Sequence, residues 1–315
     1  MTRRLTRWLL VLQILVISGF TYALQQQIPG QHPGTSLALS SGLIVTVRLL
    51  ITASGFGLAW RTRSETPQPL RIGWYLAAGL FFSEFCASMI SSSWNMAFFR
   101  VGKQLVAHPD GLPVLLIHGY GCNSGYWRTM SKRLSASNIS HRGVDLEPML
   151  ASIDSYVPAL AQAIEELARE SHCEKVILVA HSMGGLISRA YLRDHGSHCV
   201  AAVITLGTPH HGTAMARHGI GINSRQMGCD NNTPSDWLQQ LNSTETEQSR
   251  ALFISIYSHH DNIVSPQLSA HLDDAINIAL SGIGHVTLGM NRDVQQCVIA
   301  QIRRVAPPPR ALRNK

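Results

Sequence analysis

The sequence predicts an α/β domain, a mostly parallel sheet with helices on both faces, preceded by a helical transmembrane region. Three observations predict it. The first hundred residues are apolar almost throughout, in a chain of 315 residues that is 45% hydrophobic and only 14% charged. From Gly111 onward, short aliphatic runs alternate with amphipathic stretches, the pattern of a parallel sheet buried on both faces. Finally, residues capable of catalysis recur just after the aliphatic runs, where ligands bind in such sheets.

The N-terminal region, residues 1–100, opens with Arg3, Arg4 and Arg7 before the uncharged run WLLVLQILVISGFTYAL, residues 8–24. A secretory signal shares this form, but Tyr22-Ala23-Leu24-Gln25 gives no clean small-x-small cleavage site. Two further apolar stretches, Leu37 to Trp60 and Gly73 to Phe99, are also long enough to cross a hydrocarbon core, which takes about 20 residues. Arg48 and Glu84 interrupt them and are costly at mid-bilayer. A buried or interface-lying helical pair is the alternative for these two. With three crossings, the basic N-terminus and Arg61, Arg63 and Arg71 fall on the cytoplasmic side. Everything after Phe99 then lies on the far side, the periplasmic or outer face if the membrane is a bacterial inner membrane.

The formal charge of +7 does not imply nucleic acid as a partner. The basic residues cluster at the N-terminus, in 61–71 and in the tail, with no basic stripe interleaved with aromatics. They read as membrane topology plus a solvated, disordered basic tail at 305–315, VAPPPRALRNK.

Within the predicted catalytic domain, residues 111–304, PVLLIHG (113–119) is a buried strand and 124–136 a helix. Ile139 to Leu146 is a weaker strand, and Ile153 to Glu170 is an amphipathic helix. Val176 to Ala180, Val200 to Leu206, Leu252 to Tyr257 and Ile276 to Leu280 are further strands; Gly184 to Asp194 and Arg292 to Arg303 are helices. The segment 213–250 has little regular pattern. Its apolar residues, among them Met227, Trp237 and Leu238, suit a cap over an acyl pocket; the alternative is a surface excursion packed on the body. Cys173 and Cys199 each precede a strand of what would be neighbouring parallel strands, so they either bridge or remain buried thiols. Cys122 and Cys229 fall in loops bordering the predicted site.

The knot Ala180-His181-Ser182-Met183-Gly184 lies between a strand and a helix. A serine on a sharp strand-to-helix turn needs small residues two before and two after, which Ala180 and Gly184 provide. The turn raises the hydroxyl above the sheet at a helix N-terminus, where free N–H groups favour negative charge. Taken alone, the pattern also fits a helix N-cap serine. A hydroxyl needs a base, and the base an orienting acid. Asp261 follows the strand LFISIYS and His285 follows NIAL, in the order Ser, Asp, His. The amides of Met183 and Tyr120, the latter after LLIHG, suit an oxyanion hole. His118 is expected to order that loop. No Cys-x-x-Cys or His-Glu-x-x-His pattern supports a metal, and no cofactor is expected.

The stretches VLLIHGYG, AHSMGGLISRAYL, ITLGTPHHGTAMA, YSHHDNIVSP and GIGHVTL together resemble the α/β-hydrolases, and within them bacterial lipases and carboxylesterases. The resemblance covers most of 112–303. It implies Ser182 as nucleophile, Asp261 as acid, His285 as base, and Tyr120 and Met183 as oxyanion donors. Ala180 stands where most members have glycine, and the calcium-loop pattern of the larger bacterial lipases is missing near His285. The expected activity is hydrolysis of lipid or other apolar esters at a membrane. An acyltransferase or thioesterase would use the same triad, and a non-catalytic membrane scaffold is the rival from another class.

Overall fold

The computed structural model describes residues 1–231 and 233–306, so most of the predicted tail, 307–315, lies outside the described residues. Three N-terminal helices come first: α1 (Thr2–Gln27), α2 (Pro33–Arg61) and α3 (Trp74–Ile90). A π-helical turn, Ser91–Asn95, carries α3 into the short α4 (Met96–Phe98). Then follow β1 (Lys103–Gln104), β2 (Val114–Ile117), α5 (Arg128–Ala136), β3 (His141–Val144), α6 (Val157–Glu170), β4 (Val176–His181), α7 (Met183–His195) and β5 (Val200–Leu206). The segment 213–250 holds α8 (Ile222–Gln226), a two-residue hairpin β6 (Cys229–Asp230) and β7 (Thr233–Pro234), α9 (Asp236–Thr244) and α10 (Glu247–Arg250). The chain closes with β8 (Phe253–Ser258), β9 (Ile276–Leu280) and α11 (Arg292–Val305).

Seven strands form one sheet in the order β1-β3-β2-β4-β5-β8-β9, with β1 antiparallel at one edge and every other neighbour pair parallel. β2, β4 and β8 are buried at every position, which is why they read as unbroken aliphatic runs rather than alternating ones. One core packs α6 and α7 against one face through Leu160, Ile164, Leu167 and Leu186. The other packs α5 and α11 through Met130, Leu134, Val298 and Ile302. α11 extends to Val305, two residues past the expected end, because Ile302 is fully buried and keeps the last turn packed. Cys173 and Cys199 are free thiols, as are Cys86, Cys122 and Cys297.

α1, α2 and the stretch Trp74–Phe98 are each long and apolar enough to cross a membrane. α1 and α2 form an antiparallel hairpin, and both of its open ends rest on the α/β body. At one end the Thr2 amide donates to Glu147 Oε1 at 2.9 Å and Arg3 pairs with Asp145 at 3.7 Å. At the other, Ser265 Oγ donates to the Ala59 carbonyl at 2.9 Å, and the Ser64 amide donates to Gln267 Oε1 at 3.1 Å. α3 begins beside the last turns of α2, where the Phe56 and Phe81 rings lie 5.9 Å apart. Its continuation ends beside the first turns of α1, where Arg7 Nε donates to the Ala97 carbonyl at 2.8 Å. α3 thus lies across the base of the hairpin. α3 buries Leu80, Glu84 and Ala87.

The segment 213–250 packs on the body. Met227 and Leu238 join the core beneath α6 and α7. Arg189 of α7, with no exposed side-chain surface, fixes the segment: its Nε and Nη2 donate to the Glu245 carboxylate at 2.7 and 2.5 Å, and Nη2 also reaches Asn242 Oδ1 at 2.6 Å. Truncating Arg189 to alanine strands a buried carboxylate, left with only Arg250 at 3.3 Å. Arg189→Ala should therefore cost about 3 kcal/mol of stability, the low end for breaking a buried pair, as measured by denaturant unfolding in detergent.

Candidate active site

Four of the parallel strands deliver the site residues at their carboxyl ends. Tyr120 follows β2, Ser182 follows β4, Asp261 follows β8 and His285 follows β9. Ser182 has φ 53° and ψ −125°, a left-handed conformation that a side-chain-bearing residue holds only under constraint, at a cost of roughly 1–3 kcal/mol. The constraint comes from both flanks: the Ser182 amide donates to the Leu206 carbonyl at 2.9 Å, and Thr208 Oγ1 donates to the Ser182 carbonyl at 2.8 Å. Gly184 makes the turn sterically feasible, since a Cβ there would lie 2.7 Å from the Ile117 carbonyl oxygen. Directly after Ser182, α7 begins at Met183, so the hydroxyl sits at a helix N-terminus.

Ser182, His285 and Tyr120 line one cavity of about 320 Å³. Asp261 stands behind His285, with Oδ2 2.8 Å from Nδ1. Its Oδ1 accepts the amides of Ile263 and Val264 at 2.8 and 2.7 Å, so both oxygens are fixed. Burial alone would lower the His285 pKa, but the adjacent Asp261 charge and hydrogen bond, helped by Glu84, raise it above the ordinary imidazole value. Among the described residues the Ser182 hydroxyl makes no hydrogen bond; in unliganded sites the nucleophile–base bond is often long or poorly aligned. The amides of Met183 and Tyr120 likewise have no acceptor among the described residues.

His118 orders the loop after β2: one ring nitrogen contacts the Gly119 carbonyl at 2.9 Å, and Nε2 accepts the Leu146 amide at 3.0 Å. Burial lowers its pKa, keeping the ring neutral as these opposed contacts require. The Tyr120 hydroxyl donates to the Ile220 carbonyl at 2.7 Å, tying the same loop to the 213–250 segment. Cys122 also lines the cavity, but burial pushes its thiol up to about 12, so it is protonated at neutral pH and not poised to attack. Among the described residues no three His, Cys, Asp or Glu side chains converge as metal ligands would.

One wall of the cavity comes from the N-terminal region, through Ser88, Ser91, Ser92 and Met96, and no described residue of the 213–250 segment lines it. Glu84 of α3, 1% exposed, reaches the loop that carries His285. Its carboxylate accepts the Val286 amide at 2.8 Å, the Thr287 amide at 2.9 Å and the Thr287 hydroxyl at 2.7 Å. Tyr126 holds the same loop from the other side, donating to the Val286 carbonyl and accepting the Gly289 amide. Asn262 Oδ1 accepts the His285 amide at 3.0 Å, and His181 Nε2 lies 3.0 Å from the His285 carbonyl. Sequence reasoning did not assign these four supports. Only Glu84 left a signal, as a carboxylate inside an apolar run.

With this geometry established, comparison with known proteins is decisive for the family. Residues 108–305 match the family described as PGAP1-like alpha/beta domain. The chain belongs to that family. A curated relative, the GPI inositol-deacylase of Candida albicans, is 28% identical over 182 residues, covering 50% of this chain and 40% of that protein. The chain thus spans well under half the length of that relative. Two solved structures share the fold. Bacillus licheniformis lipase BlEst2 in mature form is 22% identical with a TM-score of 0.54, covering 63% of this chain and 96% of that one. Aspergillus fumigatus lipase B is 14% identical with a TM-score of 0.59, covering 94% of this chain and 86% of that one. This PGAP1-like domain therefore has the α/β-hydrolase fold, as its lipase-like motifs implied.

Removing the Glu84 carboxylate strands the Val286 and Thr287 donors of this PGAP1-like domain, a loss of about 1–3 kcal/mol of local stability. Hydrogen exchange of the segment following His285 should accelerate roughly tenfold or more in Glu84→Ala, with a smaller change in Glu84→Gln, which keeps an acceptor.

Proposed function

We propose that this chain is a membrane-attached serine hydrolase that cleaves carboxylic esters of apolar acyl groups. The observation that carries the reading is a strained Ser182 sharing a cavity with His285, whose Nδ1 is 2.8 Å from Asp261. Ser182 attacks the ester carbonyl while His285 takes its proton; Asp261 fixes the imidazole and stabilises its charged form. The Met183 and Tyr120 amides hold the oxyanion, each worth roughly a hundredfold or more in rate. His285 then protonates the leaving alcohol, and water, deprotonated by the same imidazole, releases the acid. The likeness to a deacylase supports an acylated lipid as substrate, and the apolar helices support its presentation at a bilayer.

Membranes carrying the chain should hydrolyse nitrophenyl esters, and Ser182→Ala should abolish the turnover. Absence of turnover on any ester, with Ser182 inert to a fluorophosphonate, rules out the enzyme and favours a scaffold. Labelling without hydrolysis would instead indicate an acyl acceptor other than water.

The base must be neutral to accept the serine proton, so kcat/KM should rise as pH passes the His285 pKa. Asp261 raises that pKa, which places the rising limb above the ordinary value of about 6.5. Asp261→Asn should lower the rate by about four orders of magnitude and move the limb to lower pH.

The α1–α2 hairpin is proposed to cross the bilayer, with α3 lying at its base. Arg3, Arg4, Arg7, Arg61, Arg63 and Arg71 then share a side with the catalytic body, which places that body in the cytoplasm of a bacterial host, opposite to the sequence expectation. A C-terminal green fluorescent protein fusion should fluoresce, and a C-terminal alkaline phosphatase fusion should be inactive; the reverse pattern restores the far-side placement.

A further inference from the structure

A second cavity, of about 450 Å³, lies between α2, α3 and the loops after β8 and β9. Its α2 wall includes Val47, Ile51 and Thr52 with Arg48, and its α3 wall Phe85 and Met89 with Glu84, whose charges are engaged by the hydrogen bonds of Arg48 and of the loop after His285. Ser88, Ser92, Ile263 and Val286 line both this cavity and the one holding Ser182, so the two are immediate neighbours across these side chains. We propose that the second cavity is the acyl-chain track of the Ser182 site. It takes the hydrocarbon of a long-chain ester whose carbonyl lies at Ser182, and it runs along α2 towards Ile44. This assignment rests on the ester-hydrolase reading.

Three features identify the occupant as a lipid chain. The α2 wall belongs to the apolar hairpin itself, and Val47 and Ile51 line the cavity while remaining 45% and 64% exposed on the helix surface. A chain can therefore pass from a surrounding bilayer to the serine without crossing water. The track is also braced: Arg48 donates from Nη1 to Ser92 Oγ at 3.0 Å and from Nη2 to Gln13 Oε1 at 3.0 Å, joining all three helices around it. Finally, the segment after β5, where an acyl cap was expected, lines neither cavity.

The test uses the full-length chain in nanodiscs, with nitrophenyl palmitate and nitrophenyl butyrate as probes. Val47→Trp and Thr52→Trp each place an indole in the track, from an exposed and a buried position respectively. In both variants the palmitate-to-butyrate ratio of kcat/KM should fall about tenfold or more, since chain-length discrimination is set by pocket contacts. Because the result is a ratio, a general loss of activity does not imitate it. An unchanged ratio in variants whose Ser182 still labels with a fluorophosphonate overturns the track and leaves the hydrolase standing. Failure of the unsubstituted chain to cleave either ester overturns the hydrolase reading and the track with it.

Discussion

The arrangement depends on one buried carboxylate. Glu84 projects from an apolar helix and is almost fully shielded from water, a placement tolerable only when its oxygens are hydrogen-bonded. Among the described residues, its donors all come from Val286 and Thr287, just after His285. Satisfying that carboxylate pins α3 to the body, and pinning α3 lays it across the hairpin base. With α3 in place, the following π-helical turn forms one wall of the cavity over Ser182. The membrane region and the site are therefore parts of one packed unit. On the opposite side, Asn123 Nδ2 donates to the Met96 carbonyl at 3.0 Å, so the continuation of α3 also touches the loop that carries Tyr120.

The strained turn at Ser182 is the second constraint, and it explains the composition around it. The helix following β4 must approach β2 closely, which excludes a side chain at position 184. The Ser182 amide is anchored to Leu206 at the carboxyl end of β5 and its carbonyl to Thr208 just beyond that end, so the strain is held from the carboxyl end of the sheet. The same sheet places Asp261 and His285 in the loops after the adjacent strands β8 and β9, which lets two residues 24 apart in sequence meet at 2.8 Å.

Much of this was legible in the sequence, for physical reasons. β5 and β9 were expected at the residues where they occur: β5 because a buried parallel strand is an aliphatic run with an abrupt end, and β9, a partly exposed edge strand, because Ile276, Ile278 and Leu280 still alternate along it. Ser182, Asp261 and His285 stood out because each directly follows such a run. β1 was missed: two exposed edge residues, Lys103 and Gln104, carry no period. The placement of 213–250 on the body depends on Arg189 meeting Glu245 across 56 residues, a pairing without local trace. The packing of α3 on the body was not legible for a related reason. Charge counting sees the basic ends of the helices, but the contact that bends α3 back joins Glu84 to Val286 across 202 residues.

The most direct test of the central claim is to treat the full-length chain with a fluorophosphonate and map the adduct by mass spectrometry. A single adduct on Ser182, formed much more slowly in His285→Gln, is the predicted result. A folded chain that gains no adduct, or gains it on another residue, would contradict the account.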